Sequence, residues 1–157
     1  MMKKKHLILF ILAGFVACEE KEPLPQYPQE VSFTEYLLEG TSCQWKRFPY
    51  DIGDTVVIIN SKEDLEKYFE CMDESNYPVI DFSTHTLLFA HGIAPSSIVN
   101  TSCSSLQQTS KHKYRMKVDI VTGDATVISN WQVPIIINKL GEENIIELIV
   151  TTKFHSL

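Results

Sequence analysis

Polar and apolar side chains alternate along much of the chain, and this alternation is typical of β-strands that bury one face. The clearest case is residues 111–121. The apolar face there is formed by His112, Tyr114, Met116, Val118 and Ile120, and the polar face by Lys111, Lys113, Arg115, Lys117 and Asp119. A strand of this kind has one face in the core and the other in water. Short β-branched runs predict further strands at 56–59, 84–90, 133–139 and 145–152.

One segment has the period of a helix. Ser61 is a candidate N-cap with Asp64 three residues further on, and Leu65, Tyr68, Phe69 and Met72 follow at the spacing of one helix face. This pattern predicts an amphipathic helix over about 62–72.

These elements predict an α+β fold. We expect mostly antiparallel sheets of about six to seven short strands with one amphipathic helix, because a parallel series would need several crossover helices. Residues 97–108 are expected to pair with 111–121. Residues 140–144 read as the turn of a hairpin that joins 133–139 to 145–152.

The N-terminus has the pattern of an export signal. Three lysines at 3–5 precede an apolar run at 7–17, which is too short to cross a bilayer core. The end of this run together with the next residue, Phe15-Val16-Ala17-Cys18, resembles a bacterial lipobox, which predicts a lipoprotein signal peptide at 1–17 and lipidation of Cys18. The alternative is a leader that is not lipidated or not cleaved.

The segment 18–30 reads as an acidic and proline-rich tether, and 31–157 as a single α+β domain. Two or more acyl chains, such as palmitate, hold a protein stably at a membrane. Glu19, Glu20 and Glu22 resemble the acidic surface-export tag of some Gram-negative lipoproteins. We therefore expect a protein of the cell envelope, anchored to the outer membrane at the cell surface or in the periplasmic leaflet.

Three further cysteines, Cys43, Cys71 and Cys103, are an odd number for an oxidising compartment. One disulfide and one free thiol would account for them. Of the three pairings, Cys43–Cys71 is favoured, and three reduced cysteines are the alternative. No two cysteines have the short spacing of a structural zinc site, so no metal ligand is predicted.

The net charge of −6 argues against a nucleic-acid partner, because such binding needs clustered cations. Lys111, Lys113, Arg115 and Lys117 nevertheless form a basic row, a candidate contact for an anion or an acidic partner. A solvated strand face is the ordinary explanation. The aromatic residues Trp45, Phe48, Tyr50 and Trp131 are candidates either for a sugar-stacking platform or for the core.

Three segments together resemble a known group of proteins. They are Ile59-Asn60-Ser61-Lys62-Glu63-Asp64-Leu65, then Pro78-Val79-Ile80-Asp81-Phe82-Ser83, then Thr86-Leu87-Leu88-Phe89-Ala90. This series resembles small envelope lipoproteins of uncharacterised function and, more distantly, the PrcB-like C-terminal domain of protease-complex accessory proteins. The resemblance covers roughly 56–152. It implies an accessory lipoprotein of an envelope complex and transfers no catalytic residue.

No catalytic motif is present: the chain lacks a G-x-S-x-G elbow, a phosphate-binding glycine loop and H-E-x-x-H. We therefore predict a non-enzymatic protein with no catalytic residue and no cofactor. The expected function is that of a lipid-anchored interaction or accessory subunit of an envelope protein complex, with the membrane and an envelope protein as partners. The alternative is a surface lipoprotein that binds a glycan or a small ligand.

Overall fold

The computed structural model describes residues 24–49, 53–72 and 77–155. Within these ranges the chain forms ten β-strands and one short helix. In chain order they are β1 (Gln29–Glu30), β2 (Thr34–Glu35), β3 (Cys43–Trp45), β4 (Thr55–Ile59), α1 (Lys62–Leu65), β5 (Phe69–Cys71), β6 (His85–Ala94), β7 (Ile98–Ser110), β8 (Lys113–Thr122), β9 (Ser129–Asn138) and β10 (Ile145–Phe154).

The strands form three sheets. Sheet A has the order β1-β7-β8-β10, sheet B the order β2-β9-β6-β4, and sheet C pairs β3 with β5. All neighbouring strands are antiparallel except β8 and β10, which run parallel. Sheet B is the middle layer, with sheet A on one face and sheet C together with α1 on the other.

The first core lies between sheets A and B. On β8 the buried positions are Tyr114, Met116, Val118 and Ile120, which alternate with half-buried and exposed positions as the sequence predicts. They pack with Leu88 and Ala90 of β6 and with the inward face of β9. Burial of these branched and thioether side chains is what joins the two sheets.

The second core lies on the opposite face of sheet B. Leu87 and Phe89 of β6 point to this side and pack with Leu65 of α1 and Phe69 of β5. Strand β6 is therefore buried on both faces, and this explains its continuous apolar run.

The predicted α+β class is wrong, because the described part of the chain is almost entirely β and its helix ends at Leu65. The start of the helix is confirmed: the Ser61 hydroxyl accepts a hydrogen bond from the Asp64 amide (3.1 Å). From Phe69 the chain instead forms β5, whose Cys71 lies opposite Cys43 on β3. Met72, predicted on the buried stripe, is 94% exposed. Sheet pairing and the disulfide outweigh the local helical pattern.

The predicted hairpin of 133–139 with 145–152 is also wrong. Strand β9 pairs with β6 in sheet B, whereas β10 pairs with β8 in sheet A. Residues 139–144 therefore carry the chain from one sheet to the other. The exchange places the two apolar strands on opposite sides of the shared core, β9 in sheet B and β10 in sheet A.

The antiparallel pairing of 97–108 with 111–121 is confirmed as β7 with β8. Gln29 and Glu30, at the end of the predicted tether, form β1 and pair with β7. The predicted signal peptide and Cys18 lie outside the described residues. Among those that are described, no helix is long and apolar enough to span a membrane.

Candidate functional site

The face of sheet A that points away from sheet B has no layer packed on it among the described residues. We call it the outer face. It is formed by the non-core positions of β7, β8 and β10, and its centre is a row on β8 with Lys113, Arg115 and Lys117. Opposite them on β10 stand Ile145, Glu147 and Ile149, in that order.

The charges on this face differ in their partners. The Arg115 Nε donates to the Glu147 carboxylate (2.8 Å), and the Lys153 Nζ lies 3.3 Å from the Asp119 carboxylate. Lys113 and Lys117 form no ion pair with any described residue. These two ammonium groups are therefore available to an external anion.

The predicted basic row is thus divided by the structure. Lys111 lies in the turn before β8 rather than in the strand, and Arg115 is engaged by Glu147. The two unpaired lysines lie four residues apart on β8, about 13 Å along the strand. Each faces an isoleucine of β10, and Ile145 is 61% exposed. The face therefore presents two separated cations beside apolar side chains, and an acidic surface would be electrostatically complementary to it.

The disulfide Cys43–Cys71 is confirmed, and it joins β3 to β5 at directly opposed positions. Cys103 is the free cysteine, buried in the core between sheets A and B. Burial raises the pKa of its thiol to about 11, so the thiol is protonated near neutral pH. The disulfide-bonded Cys43 and Cys71 and the buried, protonated Cys103 are therefore not candidates for a reactive thiolate.

The burial of His91 was not predicted from the sequence. His91 on β6 is 4% exposed, and the Phe48 ring stacks on its imidazole with centroids 3.9 Å apart. Its Nδ1 has no hydrogen-bond partner among the described residues, and the same holds for the Nε1 of Trp131, which lies opposite Gly92 on β9. Burial lowers the pKa of His91, and the charge of Asp54 opposes that shift. Its place at the end of the apolar run of β6 was the signal in the sequence.

Gly92, next to His91 on β6, allows close packing against its backbone. A Cβ there would collide with the Asp54 carboxylate and would lie 2.7 Å from the Trp131 ring. The absence of a side chain at Gly92 thus lets the Asp54 carboxylate and the Trp131 ring lie close to the backbone of β6. We interpret His91 as a core residue.

The candidate sugar platform is not formed by the aromatic residues that the structure describes. Trp45 packs on Tyr36, Phe69 and Phe89, and Trp131 is 1% exposed. Phe48 covers His91, and Tyr50 lies outside the described residues. Three of the four rings therefore contribute to packing.

Two other features bear on chemistry. An open groove runs along the disulfide between Thr41 and Met72, with Gln44 and Glu70 on its wall. The Gln44 Nε2 donates a hydrogen bond to the Glu70 carboxylate (2.9 Å), so these two side chains are already paired with each other. Nowhere in the described ranges do three or more His, Cys, Asp or Glu side chains come together as metal ligands would.

Comparison with protein-family models, with curated proteins and with solved structures found no match to this chain. The resemblance to envelope lipoproteins and to the PrcB-like domain therefore stays a prediction from the sequence. Among the surfaces described, the outer face is the best candidate for function.

Proposed function

We propose that this protein is a lipid-anchored, non-enzymatic interaction or accessory subunit of a protein complex in the bacterial cell envelope. Acyl chains on Cys18 would hold it at the outer membrane, and the outer face of sheet A would contact an acidic surface of an envelope protein. The anchor is supported by the lipobox-like sequence at residues 15–18.

The observation that carries the contact surface is the pair of unpaired lysines on the outer face. Four Lys and Arg side chains in the described ranges form ion pairs with a carboxylate, those of Lys62, Lys67, Arg115 and Lys153, and these two lysines are not among them. Lys113 and Lys117 stand beside Ile145 and Ile149. An acidic partner would neutralise the ammonium groups and cover the isoleucines in one contact.

The anchor is tested on the full chain expressed in a Gram-negative host. Intact mass measurement should find acyl chains on Cys18 at the mature N-terminus, and Cys18→Ser should move the protein from the membrane to the soluble fraction. A wild-type chain with an unmodified Cys18, recovered in the soluble fraction, would contradict the anchor.

The contact surface is tested by purifying the full chain from native membranes in mild detergent. We expect a partner in fixed stoichiometry with the wild type and its loss from Lys113→Glu/Lys117→Glu. The matched control is Lys62→Glu/Lys67→Glu, which changes the net charge equally at the first residue of α1 and in the turn after it, where the exposed ion pairs contribute little to stability.

Three results would contradict this proposal. A wild type that purifies alone would remove the accessory role. Equal loss of the partner from both double variants would reduce the effect to net charge. Retention of the partner by both would show that the outer face is not its contact surface.

A further inference from the structure

Strand β10 forms one border of sheet A, and its far edge pairs with no strand in the part of the chain that the structure describes. Strand β4 of sheet B approaches it where the two sheets meet, without forming a ladder. The opposite border of sheet A is β1, with only two residues. The ten residues of β10 are therefore the long open edge of this sheet.

The hydrogen bonds show which backbone groups face that edge. The Ile145 amide donates to the His112 carbonyl (2.9 Å), and the His155 amide to the Thr122 carbonyl (2.8 Å). Odd-numbered residues of β10 thus face β8. Since backbone groups alternate in direction along a strand, the even-numbered residues from Ile146 to Phe154 point their amides and carbonyls outward.

The sequence of β10 protects this edge only weakly. The strand has no proline, its register with β8 has no bulge, and only Glu147 and Lys153 are charged. Soluble proteins usually shorten, charge or cover such edges, because an open regular edge recruits another strand. Phe154, which shares its strand face with the core residues of β10, is 65% exposed.

We propose that the edge is covered by a second copy of this chain, with the two β10 strands antiparallel about a two-fold axis at Val150. In this register Glu147 lies opposite Lys153 of the second copy, twice per dimer. Phe154 lies opposite Ile146 of the second copy. The even-numbered residues then face each other, as their outward backbone groups require, and form roughly ten hydrogen bonds.

Charge complementarity selects this register. Displacing one strand by two residues would place Glu147 opposite Thr151 or His155 and would leave Lys153 without a carboxylate across the interface. With Val150 on the axis, each Glu147 lies between its own Arg115 and the second copy's Lys153. The dimer would form a continuous eight-stranded sheet. This inference rests on the edge of sheet A and stands independently of what binds its outer face.

The register is tested by disulfide trapping in native membranes that hold two full-length variants, Glu147→Cys and Lys153→Cys. These positions are a non-hydrogen-bonded pair with Cα atoms about 4.5 Å apart, within reach of a disulfide. We expect a dimer on a non-reducing gel when both variants are present. Either variant alone should give no dimer, because residue 147 of one copy lies about 20 Å from residue 147 of the second copy, and the same separation holds for residue 153.

Lys113→Cys, on the same face but one strand inward, is the matched control and should give no dimer. A dimer absent from the mixture, or equally abundant in every sample, would overturn the proposal. A cross-link from β10 to a protein of different mass would also overturn it, because the occupant would then be another protein.

A second measurement does not depend on new cysteines. In the full chain in detergent, Glu147→Lys alone or Lys153→Glu alone places like charges opposite each other twice, and dimerisation should weaken roughly tenfold. Mixing the two variants should restore the dimer by sedimentation. Circular dichroism checks that each variant is folded. Single variants that dimerise like the wild type, or a mixture that stays monomeric, would overturn the proposal.

Discussion

Cys43 and Cys71 are directly opposed on β3 and β5, and their disulfide joins two strands that are 28 residues apart in the chain. The pair stabilises the smallest sheet, which covers one face of sheet B. It also stands where a helix was predicted, so the covalent link and the change of secondary structure belong to the same feature.

The first prediction concerns this disulfide. Replacing both cysteines, in Cys43→Ala/Cys71→Ala, should lower the free energy of unfolding by roughly 3 to 4 kcal/mol, because the unfolded chain regains the freedom of the closed loop. Denaturant unfolding of the wild type and the double variant measures the difference. A reducing agent should weaken the wild type to the same extent and leave the double variant unchanged. Equal stability of the two proteins would contradict the prediction.

The second prediction concerns a buried hydroxyl. Thr86 is fully buried, donates to the Asn60 side chain (2.6 Å) and accepts from the Leu140 amide (2.9 Å). Thr86→Val leaves both groups unpaired and should cost about 1 to 3 kcal/mol of unfolding free energy. Thr86→Ser keeps the hydroxyl and is the matched control, so it should lose less. A valine variant as stable as the serine variant would remove the role assigned to these hydrogen bonds.

The third prediction concerns His91 and acid. Burial lowers the pKa of His91 below its ordinary value of 6.5. The neutral ring thus stabilises the fold above pH 6.5, and this contribution is lost as the pH falls through the lower folded pKa. As the pH is lowered from 8 to 5, the free energy of unfolding should decline less in His91→Phe than in the wild type. This variant keeps an aromatic ring against Phe48. Parallel pH profiles for the two proteins would contradict this assignment.

The fourth prediction concerns Cys103. Since burial raises its pKa from 9.0 to about 11, its contribution to stability is complete below pH 9 and is lost as the pH rises towards 11. A thiol reagent at pH 8 should not label Cys103 in the folded protein and should label it in denaturant without reductant. The Cys103→Ala variant should lose the label that the wild type takes up in denaturant, which assigns that label to Cys103. Rapid labelling of the native chain would show that the thiol is accessible.

Local patterns were sufficient where the interactions are local. The alternation along β8 specified its buried face, and the pairing of β7 with β8 followed from sequence proximity. The Ser61 cap is correct for the same reason, because its hydrogen bond joins residues three positions apart. The candidate lysines were found in this way too, although the engagement of Arg115 by Glu147 on another strand was not.

Errors arose where distant segments compete. Phe69 has the spacing of a helix face, yet it pairs with Trp45, 24 residues earlier. Strand β10 follows β9 after a short turn, yet it pairs with β8 in the other sheet. Neither choice is encoded within a window of neighbouring residues, because both depend on which apolar faces meet in the core.

The sequence by itself thus determined the strand-rich pattern, the helix cap, the preference for Cys43–Cys71 and the basic row on β8. Only the tertiary structure decided that β5 replaces most of the helix, that β10 lies at an open edge, and that within the basic row Arg115 is paired with Glu147 whereas Lys113 and Lys117 have no ion pair among the described residues. The physical reason is that strand pairing and charge pairing join residues far apart in the chain, so their outcome depends on the assembled sheets.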